Sequence, residues 1–323
     1  MKKSFMAVAA LIAGTSIMSS SAYAQCGEVS ISEMNWSSSQ LVTSVSKFLM
    51  EQGYGCTVQT VPTSTVPSVT SIAETGKPDI VTELWLNSVP LYTELEQQGK
   101  VITATQIISD GGKDAWWVPQ YLVDQYPQLK TIDGVLANPE LVGGRFHNAP
   151  DGWGVRIKND NLIKAFDFAS HGMEVFNHGS GETLAAAIAS ANEAKEPIFV
   201  YYWAPTSVLG KYPMVAVDLG PFNAEAHACI ESKDCADPQK TALKAGTVVT
   251  GVTSDFANRE PEIFELMKHI SFTSEEMSQL LAWQESNKAS AEEAAVYFIT
   301  TQQDKWSGWI NDDARAKLTA LLN

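Results

Sequence analysis

The chain has 323 residues, of which 22 are Lys or Arg and 37 are Asp or Glu, so its formal net charge at pH 7 is −15. A chain this acidic is not expected to bind nucleic acid by neutralising phosphates, because that mode requires basic patches. Hydrophobic residues make up 45% of the chain, which excludes a disordered protein, and the length suits two domains or one large one. Nine residues are tryptophans, and their positions carry the functional prediction.

The first 24 residues have the pattern of a secretory signal peptide. Two lysines precede an apolar run at 5–17 that is too short to span a bilayer, and Ala22-Tyr23-Ala24 is a small-x-small cleavage site. We therefore expect a periplasmic chain that begins at Gln25. The alternatives are an uncleaved anchor and a lipoprotein attached at Cys26.

Export changes the interpretation of the four cysteines, because an even count in an oxidising compartment predicts disulfides. Cys229 and Cys235 lie in one short polar loop, which leaves Cys26 to pair with Cys56. A metal site is the alternative, but neither pair has CxxC spacing and no His stands beside them at ligand spacing. We predict the disulfides Cys26–Cys56 and Cys229–Cys235, and neither a metal nor a cofactor.

The N-terminal part of the sequence alternates between strand and helix patterns. Its predicted elements are a strand at 28–34, a helix after the hydroxyl cap at 37–39, a strand at 57–61, a helix at 66–75, a strand at 79–85 and a helix at 88–98. This βαβαβ order predicts a parallel or mostly parallel sheet with helices on both faces.

The middle of the chain repeats this alternation, and the end becomes helical. The predicted elements are strands at 115–118, 198–203 and 214–218, and helices at 158–168, 182–195, 260–271, 274–284, 291–302 and 311–322. Two α/β lobes without a flexible linker require crossing segments, which we place near 109–113 and 218–222. Residues 25–112 plus 219–323 are then lobe 1, and residues 113–218 are lobe 2.

Four tryptophans occupy positions where a ligand would bind. Trp36, Trp85 and Trp203 each stand at the end of a predicted strand, and open α/β sheets bind ligands outside the carboxyl ends of their strands. Trp153 lies in the loop 151–154, where glycine on either side permits close approach of the backbone. For any single Trp, packing in the core is the competing interpretation.

Several indoles around a cleft form a box whose π faces attract a cation, as in the capture of quaternary ammonium groups. A methylated ammonium donates no N–H bond, so an apolar, electron-rich box suits it better than carboxylates alone. Trp116 and Trp117 are adjacent on a strand and face opposite sides, so at most one of them can line the cleft. Trp283, Trp306 and Trp309 fall on or near the C-terminal helices, where we expect them to pack.

Five segments of the sequence have a distinctive form. They are Glu83-Leu84-Trp85-Leu86, Val118-Pro119-Gln120-Tyr121, Pro150-Asp151-Gly152-Trp153-Gly154, PIFVYYWAP at 197–205 and KWSGWIN at 305–311. Through them the mature chain resembles, nearly end to end, the periplasmic binding proteins of ABC importers for glycine betaine, proline betaine and choline. The resemblance implies an α/β, two-lobed periplasmic binding protein fold of type II. Each lobe is then a sheet flanked by helices, with a hinge between the lobes, and the lobes close on the ligand.

The resemblance also implies the residues of the ligand site. The implied cage consists of Trp85, Trp153 and Trp203, of Trp36 as the additional wall of choline-type members, and of Trp116 or Trp117 as a fifth ring. Backbone amides of the loop at Gly152 and Gly154 would hold a carboxylate of the ligand. The acid Glu83 would either compensate the charge of the ligand or form a salt bridge within its lobe. Thr206 stands where many betaine binders carry His or Tyr, and this shorter donor leaves room for ligands other than betaines.

These features predict a solute receptor, not an enzyme. It is expected to act as a monomer that binds a small cationic or zwitterionic molecule and delivers it to the membrane permease of an ABC importer. The expected ligand is glycine betaine, choline or a related methylated compound such as carnitine, with trimethylamine N-oxide and dimethylsulfoniopropionate as alternatives. A sensory receptor of the same fold is a second possibility. A secreted carbohydrate-active enzyme is a third, and it would need two facing carboxylates, for which Asp110, Asp114 and Asp151 are available.

Overall fold

The computed structural model describes residues 26–322, so the predicted signal peptide lies outside the described residues. Ten strands in this part of the chain form two five-stranded sheets. The strands are β1 Glu28–Met34, β2 Thr57–Thr63, β3 Ile80–Trp85, β4 Val101–Gln106, β5 Lys113–Pro119, β6 Arg145–Asn148, β7 Glu174–Asn177, β8 Phe199–Ala204, β9 Met214–Ala216 and β10 Val248–Thr253.

Helices cover the sheets and form most of the C-terminal quarter. They are α1 Ser37–Phe48, α2 Thr65–Thr75, α3 Pro90–Gln97, α4 Gln120–Gln125, α5 Ile132–Ala137, α6 Gly154–Ala165, α7 Gly181–Ala194, α8 Ser207–Lys211, α9 Ala224–Ile230, α10 Ser254–Arg259, α11 Pro261–His269, α12 Ser274–Asn287, α13 Ala291–Thr301, α14 Gln303–Trp306 and α15 Asp312–Leu322. A π-helical turn at Leu49–Gly53 extends α1, and 3₁₀ turns lie at Leu86–Ser88, Pro127–Lys130 and Pro139–Val142. Within residues 26–322, no helix combines the length and the apolar character needed to cross a membrane.

The first sheet has the strand order β2-β1-β3-β10-β4, and β10 runs antiparallel to both of its neighbours. Strands β1 and β2 are parallel, with Glu28 opposite Thr57. This register brings the residues just before each strand together, and Cys26 is bonded to Cys56. The second predicted disulfide, Cys229–Cys235, is also present.

The second sheet has the order β7-β6-β8-β5-β9, with β5 antiparallel to β8 and β9. It therefore repeats the first sheet, in which three parallel strands are joined to an antiparallel one that arrives from the other half of the molecule. Helix α7 begins with a reciprocal cap, since the Ser180 hydroxyl accepts from Thr183 N–H and the Thr183 hydroxyl accepts from Ser180 N–H.

Four strands were not predicted, namely β4, β6, β7 and β10. Strands β6 and β7 have four residues each, which is too short for an alternating pattern to be recognised. Strand β10 has the sequence VVTGVT and is buried throughout, so it lacks the polar alternation of a half-exposed strand. Its run of β-branched residues was the signal available in the sequence.

The chain passes between the sheets twice, from β4 to β5 and from β9 to β10. The two crossing segments pair with each other, because Gly112 N–H donates to Gly246 O at 3.0 Å and Gly246 N–H donates to Gly112 O at 2.8 Å. Helix α9, on the second crossing segment, packs against α6 of the second lobe. The hinge ranges and the lobe boundaries given above stay a prediction.

Candidate functional site

A cavity lies between the two sheets, at the edge where the parallel strands end. It is narrow, with a volume of about 30 Å³. Its lining is aromatic with a few polar groups, and consists of Trp36, Thr65, Trp85, Ser88, Asp114, Trp153, Gly154, Val155, Tyr201 and Trp203. The four tryptophans predicted from strand ends and the glycine loop are therefore brought together.

Three of these indoles form a corner of nearly perpendicular walls. The ring centroids of Trp36 and Trp153 are 5.1 Å apart with an interplanar angle of 71°. Those of Trp153 and Trp203 are also 5.1 Å apart, at 80°, and those of Trp36 and Trp203 are 6.4 Å apart, at 76°. Edge-to-face contacts of this kind stabilise aromatic clusters and turn π faces in different directions.

Trp85 forms a further wall, and its ring lies against the paired crossing segments. A Cβ placed on Gly112 would lie 2.1 Å from Cη2 of Trp85, and one placed on Gly246 would lie 2.8 Å from its Cε3. Only residues without a side chain permit this approach, so the two glycines of the crossing pair define the position of the ring.

Local structure explains how each tryptophan reaches the cavity. Trp85 is the last residue of β3, and Trp203 is the penultimate residue of β8. Trp36 and Trp153 are the N-cap residues of α1 and α6, each just after a parallel strand. All four are at most 8% exposed, so their rings are almost entirely covered by the protein.

The structure places Trp116 and Trp117 outside the cavity. Trp116 is fully buried in a cluster with Phe146, Phe168 and Phe199, and its indole N–H donates to Asn159 Oδ1. Trp116 shares a sheet face with Asp114 but lies two residues farther along β5, away from the cavity. The indole N–H of Trp117, on the opposite face of the sheet, donates to the Tyr202 carbonyl at 3.0 Å.

Glu83 does not line the cavity but lies behind Trp36. Its Oε1 accepts from the indole N–H of Trp36 at 2.7 Å and from the Ser38 hydroxyl at 2.8 Å, which fixes the orientation of the ring. Among the described residues it forms no ion pair, so the salt bridge considered for it is not found. Burial raises the pKa of Glu83 to about 7, and the hydrogen bonds from Ser38 and Trp36 oppose this shift.

Of the two loop glycines and Thr206, Gly154 lines the cavity, whereas Gly152 and Thr206 do not. The carbonyl of Gly152 accepts from Val66 N–H of the first lobe at 3.0 Å. Gly154 begins α6 and lines the cavity, and a Cβ on it would lie 1.9 Å from the carbonyl oxygen of Ser88. Thr206 lies in a neighbouring cleft, where its hydroxyl donates to the Trp203 carbonyl.

Asp114 and Tyr201 line the cavity but were not predicted as ligand residues. Asp114 Oδ1 accepts from the Tyr201 hydroxyl at 2.6 Å, and Oδ2 lies 3.7 Å from Nζ of the fully buried Lys158. The sequence did contain a signal for Tyr201, because it stands two residues before Trp203 on the same strand and therefore shares its face. Asp114 is the cross-strand partner of Trp203, a pairing that becomes visible only once β5 and β8 are known to be antiparallel.

Several polar atoms around the cavity lack a hydrogen-bond partner within residues 26–322. They are Ser88 Oγ, Asp114 Oδ2, Lys158 Nζ and, behind the rings, Glu83 Oε2. Gly154 and Val155 also line the cavity, and as the first residues of α6 they have N–H groups without an acceptor inside the helix. The cavity therefore combines electron-rich walls with a small set of unpaired polar groups.

The other two aspartates considered for catalysis are engaged elsewhere. Asp110 accepts from the backbone N–H and the hydroxyl of Ser274, and the exposed Asp151 pairs with Arg156. Neither lines the cavity. Within residues 26–322, no group of three or more His, Cys, Asp or Glu side chains is arranged to hold a metal ion.

Comparisons with known proteins agree with the fold. Residues 27–301 match the model of a family described as the substrate binding domain of ABC-type glycine betaine transport system. A choline-binding protein of an ABC transporter, solved with choline, has a TM-score of 0.72 at 19% identity and covers 92% of this chain and 99% of its own. A glycine betaine/L-proline-binding protein from Borrelia burgdorferi has a TM-score of 0.73 at 16% identity, with coverages of 90% and 99%. Lactococcal OpuAC, in its closed form with glycine betaine, has a TM-score of 0.69 at 18% identity, with coverages of 88% and 100%. These likenesses confirm the predicted two-lobed fold.

Proposed function

Because the chain belongs to the family of substrate-binding domains of ABC-type glycine betaine transport systems, we propose that it is the periplasmic receptor of such an importer. It binds a small methylated onium or betaine-like compound in the cavity between its lobes and delivers that compound to a membrane permease. The family is one of transport proteins and not a class of enzymes. The protein acts as a monomer, and the predicted signal peptide directs its export.

The observation that carries this proposal is the set of four tryptophans around one cavity. Trp36, Trp153 and Trp203 present nearly perpendicular rings, and Trp85 lies on the wall at the crossing segments. A quaternary ammonium group is a soft, spherical cation that donates no hydrogen bond, and it gains cation–π attraction from each ring face that it touches. Among residues 26–322, no Lys, Arg or His side chain lines the cavity, so no positively charged group contacts such a ligand directly.

Ligand binding closes the lobes by a hinge motion in this proposal. The lobes are residues 25–112 plus 219–323 and residues 113–218, as the sequence predicts. Two hydrogen bonds join them at the cavity, one from the Trp153 indole N–H to Asn35 Oδ1 at 2.6 Å and the other from Val66 N–H to the Gly152 carbonyl. The same rings that hold the ligand therefore take part in holding the lobes together.

Calorimetric titration of the purified mature protein tests the proposal. The panel contains choline, glycine betaine, proline betaine, carnitine, trimethylamine N-oxide and dimethylsulfoniopropionate, with an oligosaccharide and an amino acid as unrelated ligands. We expect at least one methylated compound to bind at a single site and to change the tryptophan fluorescence. Binding of only the oligosaccharide or the amino acid would exclude the proposed cage.

Removal of one wall provides a second test. Trp203→Ala is expected to weaken binding of the methylated ligand by about 1–2 kcal/mol or more, since it deletes one cation–π face and opens the cavity. The matched control is Trp283→Ala, because that ring is stacked on Tyr297 at 3.9 Å on the C-terminal helices, away from the cavity. The control should lose stability but keep its affinity in titrations under the same conditions. Equal affinities of the two variants would place Trp203 among the packing residues.

A further inference from the structure

We propose that Asp114 selects the ligand by its polar end and favours methylated ammonium compounds that carry a hydroxyl donor over those that end in a carboxylate or an N-oxide. This inference rests on the proposed function, since it concerns the same cavity. It adds the chemistry by which the cavity distinguishes members of one ligand class. Cation–π walls do not make that distinction, because they recognise the methylated head that all these ligands share.

Asp114 is the anionic group among the residues that line the cavity. It is 6% exposed, and its Oδ1 accepts a hydrogen bond from the Tyr201 hydroxyl at 2.6 Å, while Oδ2 forms an ion pair with Lys158. The other oxygen, Oδ2, has no hydrogen-bond partner within residues 26–322. A buried carboxylate oxygen left without a donor is costly, so a ligand that brings a donor gains the energy of that bond.

Lys158 stabilises this charge from behind the cavity wall. Its Nζ lies 3.7 Å from Asp114 Oδ2, which is beyond hydrogen-bond distance but close enough for strong attraction at a fully buried site. Burial lowers the pKa of Lys158, whereas the charge of Asp114 acts in the opposite direction. Lys158 does not line the cavity, so it supports the carboxylate without offering a contact to an anionic ligand.

The remaining polar groups make the requirement on the ligand more specific. Ser88 Oγ is buried and without a hydrogen-bond partner in the described part of the chain, and Gly154 and Val155, the first residues of α6, line the cavity. These groups donate to an oxygen of the ligand, whereas Asp114 accepts from it. A hydroxyl meets both demands at once, because it accepts and donates. A carboxylate or an N-oxide only accepts, so it leaves Asp114 Oδ2 unpaired and brings negative charge towards it.

The first experiment uses the wild-type protein and varies the ligand. Calorimetry compares choline with ethyltrimethylammonium, which lacks the hydroxyl, with glycine betaine and with trimethylamine N-oxide. We expect choline to bind at least about tenfold more tightly than each of the others, since a hydrogen bond to a charged acceptor is lost with them. This measurement does not depend on whether any variant folds.

The second experiment changes the acceptor. Asp114→Asn should reduce the ratio of choline to glycine betaine affinities by at least about tenfold, because the charge that repels the carboxylate is gone. The substitution also leaves Lys158 buried without its counter-ion, so the double variant Asp114→Asn/Lys158→Met is measured beside it. Asp151→Asn serves as the control, since that exposed aspartate lies outside the cavity. It should keep the wild-type ratio.

The outcomes separate this inference from the function on which it rests. If no methylated ammonium compound binds the wild-type protein, the proposed function fails. If these compounds bind but glycine betaine or the N-oxide is preferred to choline, the role of Asp114 is overturned while the function stands. The same conclusion follows if the double variant is folded and keeps the wild-type ratio of affinities.

Discussion

At Glu83 the backbone adopts φ = 50°, a left-handed conformation that residues other than glycine rarely adopt. Holding a residue in this conformation destabilises the folded state by on the order of 1–3 kcal/mol, and the surrounding structure must compensate. The compensation is visible in the two hydrogen bonds that the carboxyl group accepts, from Trp36 and from Ser38. We interpret Glu83 as a positioning residue that holds Trp36 in the cavity wall.

The buried carboxyl group of Glu83 makes stability depend on pH. Its pKa is raised from 4.5 to about 7 in the folded protein, so the folded state binds the proton more tightly than the unfolded chain does. The stability contributed by this proton is fully present below pH 4.5 and is lost as the pH rises to about 7. The expected loss is about 3 kcal/mol across this window. Urea unfolding of the wild type and of Glu83→Gln at several pH values measures it.

The difference in unfolding free energy between the wild type and Glu83→Gln is the quantity to follow, because other groups titrate in the same pH range. Burial lowers the pKa of both His147 and His178, and lowered histidine pKa values make stability rise with pH. Both histidines are present in both proteins, so their contribution cancels in the difference. A difference in unfolding free energy that stays constant from pH 4.5 to 7.5 would contradict the assignment to Glu83.

Among the elements, α6 makes a close contact with the first lobe that bears on the proposed closure of the cavity. It begins at Gly154, whose Cα lies so close to the first lobe that an added Cβ would be 1.9 Å from the Ser88 carbonyl oxygen. Within its own helix Gly154 has no unusual φ, and alanine is a better helix former than glycine. A methyl group here therefore obstructs the approach of the two lobes without disturbing either of them.

Gly154→Ala is expected to weaken binding of the methylated ligand by about tenfold or more, since overpacking a close contact costs about 1–3 kcal/mol. Its free energy of unfolding should fall little or rise slightly. The matched control is Gly210→Ala in α8, where an added Cβ meets nothing within 4 Å. Calorimetry gives the affinities, and small-angle scattering with saturating ligand should show Gly154→Ala as the more extended protein. Equal compaction of both variants would contradict the obstruction.

The elements also show how far the sequence alone could lead. The positions of Trp36, Trp85 and Trp203 were predictable because each stands at the end of a recognisable strand. Trp153 was selected for its flanking glycines, although the strand before it, β6, has only four residues and gave no signal of its own. Asp114 was not assigned to the ligand because its place depends on the antiparallel pairing of β5 with β8, a long-range contact that no local pattern encodes.

The depth at which Trp116 is buried could not be predicted from the sequence. Alternation along β5 indicates correctly that Trp116 and Trp117 face opposite sides, but it does not give the depth of each ring within its layer. That depth depends on Phe146, Phe168 and Phe199, which come from three other segments and enclose Trp116. The choice between a cavity wall and the core is therefore a tertiary property.

On the scale of the whole molecule, the two disulfides restrict the chain to different degrees. Cys26–Cys56 closes a loop across 30 residues and joins the starts of β1 and β2, whereas Cys229–Cys235 links the last turn of α9 to a residue only 6 positions later. The longer loop removes more conformational freedom from the unfolded chain, so its disulfide contributes more to stability.

Replacing Cys26 and Cys56 by serine should lower the free energy of unfolding by about 4 kcal/mol, and replacing Cys229 and Cys235 by about 2 kcal/mol. Urea unfolding of the two double variants under non-reducing conditions checks the order. Ligand affinity should be nearly unchanged in both, since none of the four cysteines lines the cavity. A larger loss for the shorter loop would show that native packing around Cys229–Cys235 outweighs the effect of loop length.

The contact of Trp85 with the crossing segments has a consequence for how the protein responds to its ligand. One face of this indole belongs to the cavity, while its edge lies on the paired backbones of Gly112 and Gly246. If the lobes turn about these crossing segments, as proposed, a ligand that presses on Trp85 presses directly on the hinge. Ligand binding and a change in the angle between the lobes would then both move Trp85, so the fluorescence emission of Trp85 would report both.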